Sequence, residues 1–204
     1  METTSSPAPA ILLPPLPAAQ WGEEVDSALR GMLPRARRNP EAAGNGLATM
    51  VHHPDLTKAF LALNVHLLFN SPLPARLREV AILRVAQHCR APYEWHHHVT
   101  MGKMVGLTDA DIAGIQAGSA PDPVDQLIVD AVDELEDTAR LSESTWTALG
   151  EHLDDRQRMD LIFTTGTYRT LATAFNTFGV QLDSPADPQQ STPQQPTPEH
   201  REDR

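Results

Sequence analysis

Apolar residues recur along most of the chain with the spacing of an α-helix, and the alternation typical of strands is almost absent. This pattern predicts helices over 22–33, 45–52, 55–69, 109–118, 123–140, 143–149 and 155–178, one that begins at Pro74, and one from Pro92 to a glycine cap at Gly106. The short connections predict antiparallel neighbours. We therefore expect an all-α fold, built as a helical bundle in a single domain.

The two ends of the chain lack this pattern. Residues 1–19 are dominated by Pro, Ala and Ser, and residues 183–204 by Pro, Gln and other polar residues. Segments with so little apolar surface to bury remain disordered because nothing offsets the entropy of ordering them. We expect a disordered Pro/Ala-rich tail over 1–19, a helical domain over 20–182 and a disordered Pro/Gln-rich tail over 183–204.

Charge and composition exclude several classes of partner. The net charge of −11 argues against non-specific binding to nucleic acid or to an anionic membrane. No run of about 18 apolar residues is present to span a bilayer. Cys89 is the single cysteine, so an internal disulfide is excluded and a reducing compartment is favoured. We expect a soluble, cytoplasmic protein that acts on a small molecule.

An acid lies inside the helix that follows Pro74. Glu79 shares a helical stripe with Ile82, Leu83 and Ala86, so its side chain is expected to point inward. A buried carboxylate requires a cation, a hydrogen-bond donor or a raised pKa. Arg76, Arg84 or a helix end are the expected neutralising partners if the role of Glu79 is structural.

The next helix carries a second set of ionisable side chains. Glu94, His97, His98 and Met101 are spaced i, i+3, i+4 and i+7, which places them on one face. Glu94 lies one turn before His98 and is expected to orient its ring and stabilise the imidazolium. If the two helices pack antiparallel, Glu79, Glu94 and His98 converge on one pocket.

These motifs together resemble a known family. Arg78-Glu79, Tyr93-Glu94-Trp95 with His97-His98, and Gly106-Leu107-Thr108 resemble the carboxymuconolactone decarboxylase family, which includes alkylhydroperoxidase D-like peroxidases. The resemblance spans about residues 20–182. It implies an all-helical fold that assembles as a homo-oligomer, a trimer or a hexamer, with sites near the subunit contacts.

The resemblance also separates two chemistries. Peroxidase members of the family use a glutamate, a Cys-x-x-Cys pair and a histidine four residues later; the cysteine positions fall here on Ala91 and Glu94, and Cys89 lies two residues too early. Because the peroxidase route needs an attacking and a resolving thiol, we predict that it is absent. Decarboxylase members lack the pair and carry a glutamate at the position of Glu94. This implies acid–base catalysis by Glu79, Glu94 and His98 in a decarboxylation, isomerisation or lactone-type reaction.

Further residues are expected to contact the substrate. His97 shares the active face, Tyr93 or Trp95 is expected to form a pocket wall, and Arg84 to supply positive charge to an enolate. Asn176 is a poor helix former within a helix, so we expect its side chain to form a specific hydrogen bond there. No cofactor or metal is expected.

Two other interpretations remain open from the sequence. The first is a non-catalytic oligomeric helical protein that binds a ligand or a partner, in which Glu79 and His98 only satisfy core contacts. The second is a metal-dependent enzyme with Glu79, Glu94 and His98 as ligands. The spacing of the residues permits all three interpretations.

Overall fold

The computed structural model describes residues 10–183, and within this range the chain forms α-helices and no strand. The helices are α1 Glu23–Leu29, α2 Pro40–Met50, α3 Pro54–Val65, α4 Ala75–His88, α5 Pro92–Met104, α6 Asp109–Ala117, α7 Pro123–Thr138, α8 Glu143–Gly150 and α9 Asp155–Phe178. The all-α prediction is confirmed. The predicted disorder of residues 1–9 and 184–204 falls outside the described residues.

The chain divides into two compact units. The N-terminal unit contains α1 to α3 within residues 15–70, together with residue 183. The C-terminal unit contains α4 to α9 within residues 71–182, together with residues 10–14. Every residue of the candidate site belongs to the C-terminal unit. The domain boundaries at 20 and 182 stay a prediction.

Residues 10–19 depart from the expected disorder. In the C-terminal unit the backbone N–H groups of Leu12 and Leu13 donate hydrogen bonds to the carbonyl of Phe178, at 2.9 and 3.1 Å. In the N-terminal unit Leu16 is buried and its N–H donates to the carbonyl of Ala48 at 2.8 Å. Backbone hydrogen bonds, together with the burial of Leu16, hold parts of this Pro-rich stretch in place.

The N-terminal unit differs from the predicted helices at several places. α1 ends at Leu29, although the prediction extends to residue 33. α2 begins at Pro40, five residues before the predicted start at residue 45, because the Asn39 side chain caps the N–H of Ala42 at 3.0 Å. Gly44 interrupts this helix with φ of 79°. The predicted helix over 55–69 is α-helical to Val65 and then continues as a π-helical turn over His66–Asn70.

Side-chain caps define the starts of three helices in the C-terminal unit. α6 and α9 begin with capping boxes formed by Thr108 with Asp111 and by Asp154 with Gln157. Ser142 caps α8 through the N–H of Thr145. These caps fix where each helix starts, and therefore which residues face the interior.

α4 is the central helix of the C-terminal unit and contacts α5, α6, α7 and α9. Its side chains are buried on nearly every side, as the apolar pattern predicts, and the buried apolar set is Leu77, Val80, Ala81, Ile82, Leu83, Val85 and Ala86. A helix surrounded by protein leaves no solvent for a polar side chain. Glu79 is therefore placed where only protein groups or a ligand can partner it.

Candidate active site

Glu79 points inward from α4 and is 0% exposed, as predicted. Its Oε1 lies 3.2 Å from Nε of Arg78, and its Oε2 lies 2.7 Å from Nδ1 of His98. Both oxygens are thus engaged, which satisfies the requirement that a buried carboxylate have partners. The neutralising groups are Arg78 and His98 rather than Arg76 or Arg84.

Arg76 and Arg84 form ion pairs with other carboxylates. Nη2 of Arg76 lies 2.6 Å from the carboxylate of Asp125. Nε and Nη2 of Arg84 hold the two carboxylate oxygens of Asp133 at 2.5 and 2.7 Å, and Nη1 donates to the carbonyl of Ile115 at 3.0 Å. The guanidinium of Arg84 therefore ties α4 to α7 and to the end of α6, and its predicted contact with a substrate stays a prediction.

The contact with Glu79 determines which nitrogen of the His98 imidazole carries the hydrogen. A carboxylate that already accepts from Arg78 is an acceptor, so Nδ1 of His98 carries the hydrogen and donates it. No described residue hydrogen-bonds to Nε2, and 8% of the His98 side chain is exposed. A neutral imidazole in this tautomer presents Nε2 as a base.

Glu94 is buried one turn before His98 and is 4% exposed. Within residues 10–183, no other residue donates a hydrogen bond to either of its carboxylate oxygens. Burial raises the pKa of the Glu94 carboxyl, against smaller lowering effects of its backbone N–H, His98 and His97. Sequence analysis predicted that Glu94 orients His98, but the hydrogen bond to His98 comes from Glu79. Burial makes the Glu94 carboxyl group easier to protonate than an exposed one.

An aromatic residue that the sequence did not single out completes the cluster. Tyr168 of α9 is 3% exposed, and its ring meets the His98 ring edge to face at 4.9 Å between centroids and 89° between planes. Tyr168 lies seven residues from both Leu161 and Phe175, on the buried face of α9. The sequence contains a signal for this, since the spacing places Tyr168 at a core position of α9. The hydroxyl of a tyrosine at such a position needs polar neighbours.

The aromatic residues at the start of α5 pack mainly against protein. Tyr93 contacts the rings of His97 at 4.5 Å and Phe175 at 5.3 Å between centroids. Trp95 packs with Cys89 against a small alanine cluster, consisting of Ala86, Ala91 and Ala172. Their predicted role as a pocket wall stays a prediction.

Asn176 makes the specific side-chain hydrogen bond that was predicted. Its Nδ2 donates to the carbonyl of Cys89 at 2.8 Å. Cys89 ends α4, so this bond connects α9 to the turn that leads into α5. Its predicted contact with a substrate stays a prediction, and its present contact supports the α4–α5 turn.

The donor set for a metal does not assemble. Within the part of the chain that the structure describes, no group of three or more His, Cys, Asp or Glu side chains is arranged to hold a metal ion. Glu79 and His98 face each other, but Glu94 does not join them as a third ligand. The alternative of a metal centre on these three residues is not supported by their geometry.

A cavity of about 560 Å³ lies between the end of α7, α8 and α9, away from these residues. Its lining consists of Leu135, Ala139, Arg140, Leu141, Ser142, Glu143, Trp146, Thr147 and Ile162. None of the predicted site residues lines it. The convergence of ionisable groups, and not the size of this cavity, identifies the candidate site.

The segment that contains most of this cluster resembles a known protein family. Residues 54–137 match the family model of the carboxymuconolactone decarboxylase family. Over this segment the chain is similar to that family. The matched segment includes Glu79, Glu94 and His98, whereas Tyr168 lies beyond its end. No curated protein matches the chain, and none of the helices formed by residues 10–183 has the length and hydropathy to cross a membrane.

Solved structures share the family's fold. A core of a peroxidase-related protein from Ralstonia eutropha aligns with a TM-score of 0.69 and 17% identity, covering 91% of this chain and 100% of that one. The debrominase Bmp8 aligns at 0.66 and 14%, covering 86% and 94%. A protein of unknown function from Agrobacterium tumefaciens aligns at 0.57 and 20%, covering 67% and 95%. At these identities the likeness shows an alkylhydroperoxidase D-like fold and nothing about activity.

Proposed function

We propose that this chain is a cofactor-independent enzyme that transfers protons to and from a small organic molecule. The observation that carries the proposal is the buried pair of Glu79 and His98, 2.7 Å apart, with the Glu94 carboxyl group buried one turn away and not hydrogen-bonded to another described side chain. Similarity to the family supports a chemistry of this general kind.

The three residues take different roles. Glu79 positions the imidazole and stabilises its charge, His98 accepts a proton at Nε2, and Glu94 in its protonated form donates one. Proton transfer requires an acid and a base held close to each other, and Glu94 and His98 lie one helical turn apart. General acid–base catalysis of this type contributes about 10² to 10⁴ in rate.

This chemistry suits decarboxylation, isomerisation or a lactone-type reaction. Decarboxylation of a β-keto acid and isomerisation beside a carbonyl proceed through an enol or enolate, to which a proton must be delivered at carbon or oxygen. The protonated Glu94 carboxyl group and the His98 imidazolium are the groups available to deliver it. A low-dielectric interior increases the effect of each.

A dithiol peroxidase is not proposed. Ala91 and Glu94 stand where the peroxidase members carry cysteine. Cys89 has no second cysteine to form a disulfide within the chain, and burial raises the pKa of its thiol, which reduces the thiolate available for attack. The structural neighbours include a peroxidase-related protein and a debrominase, so fold alone does not select the reaction.

The test is a panel of β-keto acids and lactones incubated with the full chain, with CO₂ release and product mass as readouts. We expect turnover of at least one compound, and loss of that turnover in His98→Asn. His96→Asn is the matched control, because His96 is exposed on the same helix and is expected to leave turnover unchanged. Turnover that survives in His98→Asn, or a panel with no turnover, contradicts the proposal.

A second candidate is a non-catalytic binding protein. The observation that favours it is the burial of the cluster, since Glu79 is 0% and His98 is 6% exposed and their contacts satisfy a core. In that case His98→Asn alters stability or ligand binding and no compound turns over. The same panel therefore separates the two functions.

We further propose that copies of the chain associate through one face of α9. Met159 and Phe163 are 55% and 54% exposed there. Thr170 and Thr173 continue this face, and both hydroxyls donate to carbonyls one turn earlier. A face with two large exposed apolar side chains is suited to contact between copies that each carry a net charge of −11.

Light scattering during size-exclusion chromatography tests this association. Phe163→Glu is expected to yield a smaller species than the wild type. Gln116→Glu adds the same charge at another exposed helical position and is expected to leave the mass unchanged. A wild-type monomer contradicts the association.

We also propose that the protein is cytoplasmic, because a single cysteine favours a reducing compartment.

A further inference from the structure

Tyr168 belongs to the cluster by geometry but to no motif on which the family resemblance rests. It lies on α9, outside the matched residues 54–137. Its side chain is nearly enclosed, with 3% exposure, and its ring stands perpendicular to the imidazole of His98 at 4.9 Å. The contact links a third helix to the pair made by α4 and α5.

The hydrogen bond to Glu79 fixes only one atom of the imidazole. A ring held at Nδ1 retains freedom to tilt about that bond, and tilting moves Nε2, which lies on the opposite side of the ring. A second ring packed edge to face against the imidazole removes that freedom, since such pairs prefer a defined angle. Tyr168 is placed to do this from α9.

The electrostatic surroundings keep Tyr168 in one state. Burial raises the pKa of its hydroxyl well above the ordinary value, and the negative charge of Glu79 raises it further, against a smaller lowering by Arg78. The phenol therefore stays protonated and neutral across the pH range in which the site works. A ring that does not change its own charge is suitable as a fixed support.

We propose that Tyr168 is a positioning residue for His98, whose ring holds the plane of the imidazole so that Nδ1 stays on Glu79 and Nε2 faces the bound molecule. The proposal rests on the proposed function for the role of Nε2. The aromatic ring is the part that acts, so phenylalanine is an adequate substitute and an aliphatic side chain is not.

The test uses the folded full-length chain and needs no substrate. Nitrogen-15 NMR of the imidazoles reports which ring nitrogen of His98 carries the hydrogen. We expect a single Nδ1–H tautomer in the wild type and in Tyr168→Phe, and a mixture of tautomers in Tyr168→Leu. Phe175→Leu is the matched control, since Phe175 makes a perpendicular contact from the same helix, at 5.3 Å, to Tyr93 instead of His98.

The wild type alone provides a second measurement if Tyr168→Leu does not fold. Nuclear Overhauser effects between ring protons of Tyr168 and His98 are expected, and their absence overturns the proposal. It is also overturned if Tyr168→Leu keeps the single tautomer, or if Phe175→Leu mixes the tautomers to the same extent.

Turnover distinguishes this proposal from the proposed function. On a compound that the wild type converts, Tyr168→Leu is expected to lower kcat by about 10- to 100-fold with little change in KM, because a displaced base affects the chemical step. Tyr168→Phe is expected to retain it. Turnover that survives in His98→Asn removes the proposed function but not the tautomer result, whereas an unchanged tautomer in Tyr168→Leu removes only the positioning role.

Discussion

The imidazole of His98 and the carboxylate of Glu79 are 19 residues apart in the chain, yet their Nδ1 and Oε2 atoms lie 2.7 Å apart in the interior. The packing of α4 against α5 brings them together, and the Arg78 guanidinium contacts the other oxygen of the Glu79 carboxylate. The acid is thereby a support for the histidine. The free carboxyl group of the site is Glu94.

Two substitutions of His98 separate its structural and chemical contributions. Asparagine retains an N–H near the position of Nδ1 and removes Nε2, whereas alanine leaves the buried Oε2 of Glu79 without this donor. We expect His98→Ala to lower the free energy of unfolding by about 1–3 kcal/mol more than His98→Asn does. Urea denaturation monitored by circular dichroism measures the difference, and equal stability of the two variants argues against the hydrogen bond.

Glu94 should make stability depend on pH in a particular direction. Because burial raises the pKa of its carboxyl group above the ordinary value of 4.5, the folded chain binds this proton more tightly than the unfolded chain. The stabilisation from Glu94 is complete below 4.5 and is lost as pH rises through the raised value. Glu94→Gln cannot titrate, so its stability relative to the wild type is expected to increase with pH over that window.

Thermal denaturation of both proteins between pH 4 and pH 8 measures this window. Glu151→Gln, a change at an exposed glutamate, serves as the control and should run parallel to the wild type. A constant difference between Glu94→Gln and the wild type at every pH contradicts a raised pKa for Glu94.

Cys89 should behave as a slow, unreactive thiol. Burial raises its pKa, the negative charge of Glu136 raises it further, and Arg169 opposes this effect. Iodoacetamide at pH 7.5 is therefore expected to modify the folded chain more slowly than the chain unfolded in urea. We also expect no thiol-dependent peroxide consumption and unchanged turnover in Cys89→Ser. Faster alkylation of the folded protein points instead to an activated cysteine.

Ala139 offers a stability prediction away from the site. It ends α7 in the left-handed region, with φ of 57°, where a side chain is unfavourable and glycine is not. Ala139→Gly is expected to raise the free energy of unfolding by about 1 kcal/mol. Ala113→Gly, in the regular and exposed part of α6, should lower it by about the same amount. Urea denaturation measures the free energy of unfolding of both variants, and changes of opposite sign relative to the wild type are expected.

Much of the fold follows from local sequence signals, and the contacts between helices do not. Thr108, Ser142 and Asp154 mark helix starts because capping depends on residues within one turn. Periodicity likewise predicts that Glu79 points inward. It does not give the rotation of one helix against another, so it could not select Arg78 as the cation beside the acid.

The same limit applies to other contacts between helices. Asp133 of α7 pairs with Arg84, 49 residues earlier, and with His88. Periodicity could not predict these partners. Tyr168 reaches His98 from a helix 70 residues further along the chain, and only the packing of α9 on α4 and α5 brings it there.

The central claim is that His98, held by Glu79, exchanges protons with a bound molecule while Glu94 acts as the acid. Deuterium incorporation at carbon, measured by mass spectrometry for the β-keto acid and lactone panel in D₂O, tests it most directly. We expect the wild type to label at least one compound faster than buffer, with Glu94→Gln slower and His98→Asn slower by about 10² to 10⁴. Labelling at the wild-type rate by both variants, or no labelling by the wild type, would contradict it.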